Sequence, residues 1–347
     1  MRLPTRATAA PLLLLAAVLS VAPGRTRAAP APTGLQQDVV FGDYSPLSAS
    51  TELLRRLVSP RTAAQALAHA TGPLAPQSID LTAERFLLYV PAAAPAEAYS
   101  LLVFVPPWQE AVRLPTGWAA VLDHYGMIYV SAARSGNDEN TIGRREPLAL
   151  LAAYNVMQRY PVNAARVYVA GFSGGSRIAL RLAVAYPDLF RGVLLNAGSD
   201  PLGNAGPPLP PAELFRRFQE SSRLVYVTGE RDTARQLMDD ESLHSMRKWC
   251  VFDVDSQITP GAGHEVASAS ALSQALRALL IHTAPDAAKL ARCRAEIDRE
   301  LNGELQKAQT LISAGKQREA EQLLKEIDRR FGGLAAPRSV ELAAPHD

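Results

Sequence analysis

Short apolar runs alternate with amphipathic stretches along most of the chain. The apolar runs are residues 86–90 (FLLYV), 101–105 (LLVFV), 127–130 (MIYV), 167–170 (VYVA), 193–195 (VLL), 224–227 (LVYV) and 251–254 (VFDV). Apolar residues at helical spacing lie between or after them, at residues 118–125, 147–160, 176–186 and 267–281. Short strands that are apolar on both faces are typical of parallel sheets whose crossover connections are helices. The pattern predicts an α/β fold with a doubly wound, mostly parallel sheet over residues 84–284.

The first residues have the layout of a secretory signal peptide. Arg2 and Arg6 precede an apolar run of ten residues, and small residues follow this run up to Ala28. The run is about half as long as a bilayer span, which favours a cleaved leader, residues 1–28, over an uncleaved membrane anchor. We therefore expect a secreted or periplasmic protein with no membrane span after the leader is removed.

A partly helical extension, residues 29–83, is predicted between the leader and the sheet. Its first residues, 29–34, are rich in Pro and Ala and are expected to be loose. Residues 50–70 have the pattern of one or two short helices, interrupted at Pro60.

The character of the chain changes again towards the C-terminus. Residues 286–331 are highly charged, and their apolar stripes with a break at 313–316 predict two helices joined as a hairpin, residues 285–335. Part of this hairpin, residues 308–331, resembles a half-matched tetratricopeptide unit, and one such unit cannot form an array by itself. The hairpin is expected to be either a cap docked on the main domain or a surface for a protein partner. A flexible tail, residues 336–347, is expected to follow it.

Composition and charge exclude several classes of protein. The 347 residues are 48% hydrophobic and 20% charged, which excludes a disordered, collagen-like or coiled-coil chain. The 36 Lys and Arg against 34 Asp and Glu are too balanced for a nucleic-acid binder. Two cysteines are too few for a disulfide scaffold or a multi-cysteine zinc module. Cys250 and Cys293 either pair in an oxidising compartment or remain as two thiols.

The sequence also contains one motif that points to chemistry. Residues 171–175 read Gly-Phe-Ser-Gly-Gly, between the predicted strand at 167–170 and the predicted helix at 176–186. This is the G-x-S-x-G pattern in a strand–turn–helix context, where a very tight turn presents the serine at the edge of the sheet. The pattern predicts that Ser173 is a nucleophile and that the backbone N–H of Gly174 donates to a developing oxyanion.

A serine hydroxyl needs a base, and one histidine is placed to supply it. His264 lies in a glycine-rich loop after the last predicted strand, where a side chain can reach a serine at the same edge of the sheet. The remaining histidines precede the serine, lie in helical stretches or lie close to the C-terminus: His69, His124, His244, His282 and His346. We therefore predict that His264 is the base.

The acid that orients this histidine is expected after the preceding strand. In hydrolases with this turn the order along the chain is serine, acid, histidine. Residues 228–232 follow the strand at 224–227, and Asp232 is the predicted acid. Glu230 is an alternative in the same loop, and Asp200, after the strand at 193–195, is a weaker one.

With these residues located, the chain resembles the α/β-hydrolases, and most of all the secreted esterases related to polyhydroxybutyrate depolymerases and feruloyl esterases. The resemblance covers about residues 84–282. The segments that carry it are residues 84–91, 101–107, 123–132, 159–198, 227–232 and 260–265. It implies hydrolysis of carboxylic esters through an acyl-enzyme, with Ser173, Asp232 and His264 as the catalytic triad.

One segment departs from the family. The strand before the oxyanion loop usually ends in His-Gly there, whereas here it ends in Pro106-Pro107. Proline has no N–H to donate, so the second oxyanion donor is expected to be the backbone N–H of Trp108, or else that of Gln109. The prolines either hold this loop in the productive shape or impair the oxyanion hole.

Other features bear on the substrate and on cofactors. The polar residues 134–140 are expected either to line the substrate cleft or to be a plain surface loop, and residues 201–211 are too short for a helical lid. The chain has no phosphate-binding glycine loop and no His or Cys cluster at metal spacing, so no cofactor and no metal are predicted. We expect a serine esterase acting on a small-molecule or polymeric ester. The alternatives are a serine peptidase and a catalytically weak relative that binds a partner through its hairpin.

Overall fold

Eight strands form one sheet in the computed structural model of the chain, which describes residues 31–110, 113–203 and 206–344. The strands are β1 (Gly34–Val39), β2 (Phe86–Val90), β3 (Tyr99–Val105), β4 (Met127–Ala132), β5 (Val162–Phe172), β6 (Gly192–Asn196), β7 (Arg223–Gly229) and β8 (Val254–Thr259). Their order across the sheet is β1-β2-β4-β3-β5-β6-β7-β8. β2 runs antiparallel to both of its neighbours, and the pairings from β4 across to β8 are parallel. This confirms the predicted mostly parallel α/β sheet.

Helices cover both faces of the sheet. In the described part of the chain they are α1 (Ser50–Leu57), α2 (Pro60–Ala68), α3 (Trp118–Tyr125), α4 (Glu146–Arg159), α5 (Gly174–Ala185), α6 (Ala212–Ser221), α7 (Thr233–Lys248), α8 (Ala269–Leu279), α9 (Ala287–Ser313), α10 (Gln317–Phe331) and α11 (Arg338–Ala343). One apolar core lies between the sheet and α3 and α8, and a larger one lies on the opposite face under α4, α5 and the C-terminal helices. Because the central strands are apolar on both faces, they are buried between these two layers.

The predicted C-terminal hairpin is present as α9 and α10, and it packs in the same unit as the sheet. The inward-facing residues Leu301, Leu305, Leu324 and Ile327 are buried in the larger core. A disulfide between Cys250 and Cys293 joins the segment before β8 to α9. The hairpin is therefore attached to the hydrophobic core by its apolar face and to the chain before β8 by a covalent bond.

The N-terminal extension is tied to the hairpin by polar contacts. The guanidinium of Arg61, near the start of α2, donates from Nη2 to both carboxylate oxygens of Glu321 at 2.7 and 2.8 Å. The buried Asp328 accepts the backbone N–H of Arg61 at 3.1 Å and the hydroxyl of Ser59 at 2.5 Å. These contacts connect two regions of the chain that are far apart in sequence.

The edges of the sheet differ from the prediction. The last strand was expected at residues 251–254, whereas β8 spans Val254–Thr259. Cys250 adopts a positive φ of 62°, and residues 251–253 lead from this turn into the strand. β1 was not predicted, and only its first residue, Gly34, falls within residues 29–34, which were expected to be loose. Both are edge strands with several exposed positions, so neither has the continuous apolar run by which the central strands are recognised.

Two expectations concern the ends of the chain. The predicted signal peptide, residues 1–28, lies outside the described residues. Within the described part, no helix combines the length and apolarity needed to cross a bilayer. Residues 336–347 were expected to be a flexible tail, but α11 forms within them, and Ser339 and Leu342 are buried. Leu342 packs into the larger core and so holds this short helix against the rest of the molecule.

Candidate active site

Ser173 lies in the turn between β5 and α5, as the motif predicted. Its φ of 52° and ψ of −119° are rare for a residue other than glycine. The backbone N–H of Ser173 donates to the carbonyl of Asn196 at 2.8 Å and holds the turn against the end of β6. A Cβ at Gly171 would overlap the backbone of Gly175, and one at Gly175 would overlap the carbonyl of Val105. The two glycines of the motif are therefore required by close approach of backbone to backbone.

The structure brings the three predicted side chains together. His264 Nε2 lies 3.0 Å from Ser173 Oγ, and His264 Nδ1 lies 2.6 Å from Asp232 Oδ2. The carboxylate of Asp232 is buried, with 8% of its side chain exposed, whereas the His264 side chain is 40% exposed. The imidazole also packs on the ring of Phe172, with 5.0 Å between the centroids. The exposed histidine shows that the site opens to solvent. The buried carboxylate of Asp232 holds the imidazole ring through its Nδ1 atom.

The alternative acids lie elsewhere. Glu230 Oε2 accepts the backbone N–H of Gly261 at 2.7 Å, so this carboxylate supports the histidine loop from outside. A second contact between the same loops runs from the backbone N–H of Arg231 to the carbonyl of Ala262 at 2.9 Å. Asp200 makes no hydrogen bond to His264. Burial raises the pKa of Asp200, against the opposing charge of nearby Arg177.

The predicted oxyanion donors are free to bind a ligand. Within the described residues, the backbone N–H groups of Trp108 and Gly174 have no hydrogen-bond partner. Gly174 is the first residue of α5, so its N–H also lies at the positive end of a helix. The Pro106-Pro107 pair is held by its carbonyls instead of by N–H groups. Pro106 O accepts from Arg145 Nη2 at 3.0 Å, and Pro107 O accepts the backbone N–H of Asn137 at 3.0 Å.

Arg145 is a feature of the site that the sequence did not reveal. Its side chain is buried, with 4% of the residue exposed, and it forms no ion pair with a carboxylate among the described residues. The Nε donates to the carbonyl of Ser135 at 2.9 Å, so one guanidinium holds both loops beside the serine. Burial lowers the pKa of Arg145 to about 10, with a contribution from Arg177, and the group therefore stays charged at neutral pH. The sequence signal was slight, because Arg145 stands beside Arg144 in a segment that looks solvent-exposed.

Asn196 is the second residue that the sequence analysis missed. Its Nδ2 donates to the carbonyl of Val227 at 3.0 Å, and its Oδ1 accepts the backbone N–H of Ala267 at 2.8 Å. With the bond from Ser173, this residue connects the serine turn, β7 and the segment after His264. The available signal was a polar side chain at the end of a fully apolar strand.

An open cleft of about 600 Å³ lies beside Trp108. Trp108 is 37% exposed, and its ring packs against Phe104 and Phe172. Apolar residues of the cleft include Leu114, Pro115 and Val266, and its charged residues are Glu110 and Arg113.

The two loops that were considered for this region have different positions. The polar residues 134–140 pack against the oxyanion loop. Gly136 is close enough that an added Cβ would meet the carbonyl carbon of Trp108 at 2.8 Å. Residues 201–211 are not a lid in the described part, because Leu202 and Leu209 are buried in the core. The carbonyl of Leu202 also accepts from the indole of Trp249 at 3.2 Å.

This strand order, with β2 antiparallel and the serine turn between β5 and α5, is that of the α/β-hydrolases, and the chain has this fold. No family model and no curated protein sequence matches the chain.

Solved structures do match it, at low identity. LpqC, a poly(3-hydroxybutyrate) depolymerase from Bordetella parapertussis, is 18% identical over 60% of this chain and 88% of its own, with a TM-score of 0.41. Est1E from Butyrivibrio proteoclasticus is 14% identical over 57% of this chain and 93% of its own, also with a TM-score of 0.41. A Bacteroides ovatus protein named for dipeptidyl aminopeptidase IV is 16% identical over 56% of this chain, with a TM-score of 0.43, and the match spans 33% of that longer chain.

Proposed function

We propose that this protein is a serine hydrolase that cleaves carboxylic esters through an acyl-enzyme. The observation that carries the proposal is the chain of contacts from Ser173 Oγ through His264 to the buried carboxylate of Asp232. A hydroxyl, an imidazole and a carboxylate in this arrangement are the groups that make a serine nucleophilic near neutral pH.

The first half of the reaction forms the acyl-enzyme. His264 Nε2 accepts the hydroxyl proton as Ser173 Oγ attacks the ester carbonyl carbon, and the carbonyl oxygen becomes an oxyanion. The N–H groups of Gly174 and Trp108 bind this oxyanion, a contribution of about a hundred- to a thousandfold in rate for each donor. Asp232 accepts the Nδ1–H and stabilises the imidazolium. The imidazolium then gives its proton to the leaving alcohol as the ester C–O bond breaks.

The second half regenerates the serine. His264 takes a proton from a water molecule, whose oxygen attacks the acyl carbon, and returns that proton to Ser173 Oγ as the acid product leaves. The exposed histidine and the open cleft beside Trp108 give water and substrate access to the acyl group.

Export in an oxidised form is part of the proposal. The leader-like sequence motivates it, and the disulfide between Cys250 and Cys293 supports it, since stable disulfides are rare in reducing compartments.

A fluorophosphonate probe on the purified protein tests the proposed function. We expect labelling of the wild type, no labelling of Ser173→Ala, and a loss of at least a hundredfold in labelling rate for His264→Ala. The matched controls are Ser313→Ala in α9 and His244→Ala in α7, which remove an exposed serine and an exposed histidine outside the proposed triad. Absence of wild-type labelling would refute the proposed serine hydrolase activity and favour the alternative of a protein that binds a partner.

A second measurement separates esterase from peptidase. Release of p-nitrophenol from short-chain esters is expected to depend on Ser173, whereas chromogenic peptide amides are expected to be cleaved slowly or not at all. Faster cleavage of the amides would reassign the protein as a serine peptidase on the same fold.

A further inference from the structure

The side-chain amide of Asn137 lies directly against Gly174, the residue after the candidate nucleophile. A Cβ built on Gly174 would overlap Oδ1 of Asn137 and would lie 2.7 Å from its Cγ and 3.0 Å from its Nδ2. The amide therefore fills the space that a side chain at position 174 would occupy. The backbone N–H of the same Gly174 has no hydrogen-bond partner among the described residues.

The backbone around Asn137 is held firmly. The Asn137 N–H donates to Pro107 O at 3.0 Å, and the Arg134 N–H donates to the carbonyl of Gln109 at 2.5 Å. The buried guanidinium of Arg145 binds the carbonyls of Ser135 and Pro106, one from each loop. The amide is thus carried on a loop that is fixed relative to the oxyanion loop.

The amide itself is not used in the fold. Asn137 is exposed, and its side chain makes no hydrogen bond among the described residues. Its last torsion is soft, so rotation by half a turn exchanges Oδ1 and Nδ2 with little change of shape. Nδ2 can therefore face an acceptor bound beside Gly174.

The oxyanion loop beside Asn137 has few backbone donors. Pro106 and Pro107 have no N–H to donate. A side-chain amide beside this loop can supply a further hydrogen bond, because preorganised side-chain donors stabilise oxyanions as backbone donors do.

We propose that Asn137 is a further catalytic residue. Its Nδ2–H donates to the substrate carbonyl oxygen as that oxygen becomes negative, together with the N–H groups of Gly174 and Trp108. This inference rests on the proposed ester hydrolysis. It assigns a chemical role to Asn137 alone among residues 134–140, and it accounts for the glycine at position 174.

Three variants test it on a p-nitrophenyl ester. Asn137→Ala removes the donor, Asn137→Asp keeps the shape and replaces the donor by a negative charge, and Asp138→Asn is the matched control on the next exposed residue. We expect kcat/KM to fall about a hundredfold for Asn137→Ala and further for Asn137→Asp, mainly through kcat. The control is expected to stay within about twofold of the wild type.

Inhibitor affinity separates a catalytic role from a structural one. A trifluoromethyl ketone forms an oxyanion on the serine, so its Ki should rise across the Asn137 variants by the same factor as kcat/KM falls. Variants that keep wild-type kcat/KM would overturn the inference. A loss of activity with unchanged Ki would also overturn it, since the amide would then act on something other than the oxyanion.

A double-mutant cycle gives an independent reading. Gly174→Ala adds a methyl group where the amide lies, so it should reduce kcat/KM strongly in the wild type and much less in the Asn137→Ala background. Equal losses in both backgrounds would contradict the proposal.

The measured activities distinguish a failure of the role proposed for Asn137 from a failure of the proposed ester hydrolysis. A wild type that neither reacts with the fluorophosphonate nor hydrolyses esters overturns both. If the wild type reacts with the fluorophosphonate and hydrolyses esters through Ser173, and the Asn137 variants are as active as the wild type, only the role of Asn137 is overturned.

Discussion

The Oδ1 atom of Asn196 accepts the backbone N–H of Ala267 at 2.8 Å, three residues after His264. This bond attaches the segment that follows the histidine loop to the end of β6. Since the carbonyl of Asn196 also accepts the N–H of Ser173, one residue fixes the serine turn and the histidine segment relative to each other. The distance between the proposed nucleophile and its base therefore depends on a residue that takes no part in the chemistry.

Replacing Asn196 should destabilise the fold. Asn196→Leu leaves the buried N–H of Ala267 without its acceptor, whereas the carbonyl of Val227 keeps the N–H of Ala197 as a donor. We expect the free energy of unfolding to fall by about 1–3 kcal/mol for the one group left unpaired. Urea unfolding followed by fluorescence measures this. Equal urea midpoints for Asn196→Leu and the wild type would contradict the stabilising role of the Asn196 side chain.

Glu230 should affect activity through the position of the histidine loop. Glu230→Ala removes the acceptor of the Gly261 N–H. The contact is exposed to solvent, so we expect a cost of about 1 kcal/mol, which corresponds to roughly a fivefold lower kcat/KM for ester hydrolysis. Glu241→Ala, which removes an exposed carboxylate of α7, is the control. A fall of several thousandfold in Glu230→Ala would mean instead that Glu230, and not Asp232, is the orienting acid.

Asp239 should make stability depend on pH. Burial raises its pKa to about 6, although Thr228 Oγ1 donates to its carboxylate at 2.5 Å and opposes the shift. Because the pKa is higher in the folded state than in the unfolded one, this residue lowers wild-type stability as pH rises from about 4 to above 6.

The variant Asp239→Asn tests that dependence. It should be more stable than the wild type by about 1–3 kcal/mol at pH 8, and the difference should vanish near pH 4. Urea midpoints at several pH values measure this, with Asp298→Asn, at an exposed position of α9, as control. A stability difference that grows as pH falls would show that folding does not raise the pKa of Asp239.

The disulfide should contribute to stability. Cys250 and Cys293 are separated by 43 residues, and a cross-link of this size removes entropy from the unfolded chain worth about 2–4 kcal/mol. The double variant Cys250→Ser with Cys293→Ser should therefore melt at a lower temperature than the wild type under non-reducing conditions. Reductant should lower the wild-type melting temperature and leave that of the variant unchanged. A variant as stable as the oxidised wild type would show that the noncovalent contacts of the hairpin suffice.

The central strands and the serine turn could be predicted because burial and backbone geometry leave few alternatives. A strand such as β3 is apolar at nearly every position, since helices cover both of its faces. The close approach of Gly171 to Gly175 admits no side chain, so the turn has a visible sequence pattern. Their positions after predicted strands and their order along the chain then placed Asp232 and His264 at the same edge of the sheet.

The features that escaped prediction lack such a pattern. β1 and β8 are half-exposed edge strands, and α6 carries charged and polar residues on its outer face. Arg145 and Asn196 bind backbone carbonyls and amides of segments distant in sequence, and nothing in the local sequence specifies those partners. Side chains that work through long-range backbone contacts become visible only when the fold is known.

The bond between Cys250 and Cys293 closes a covalent ring that includes β8, α8 and the first turns of α9. The connection between α8 and α9, residues 280–286, is mostly exposed and lies within that ring. A protease that cuts this connection would leave the two fragments joined through sulfur and through the buried face of the hairpin. The molecule would then remain a nicked but undivided protein, and only reduction together with unfolding would separate its parts.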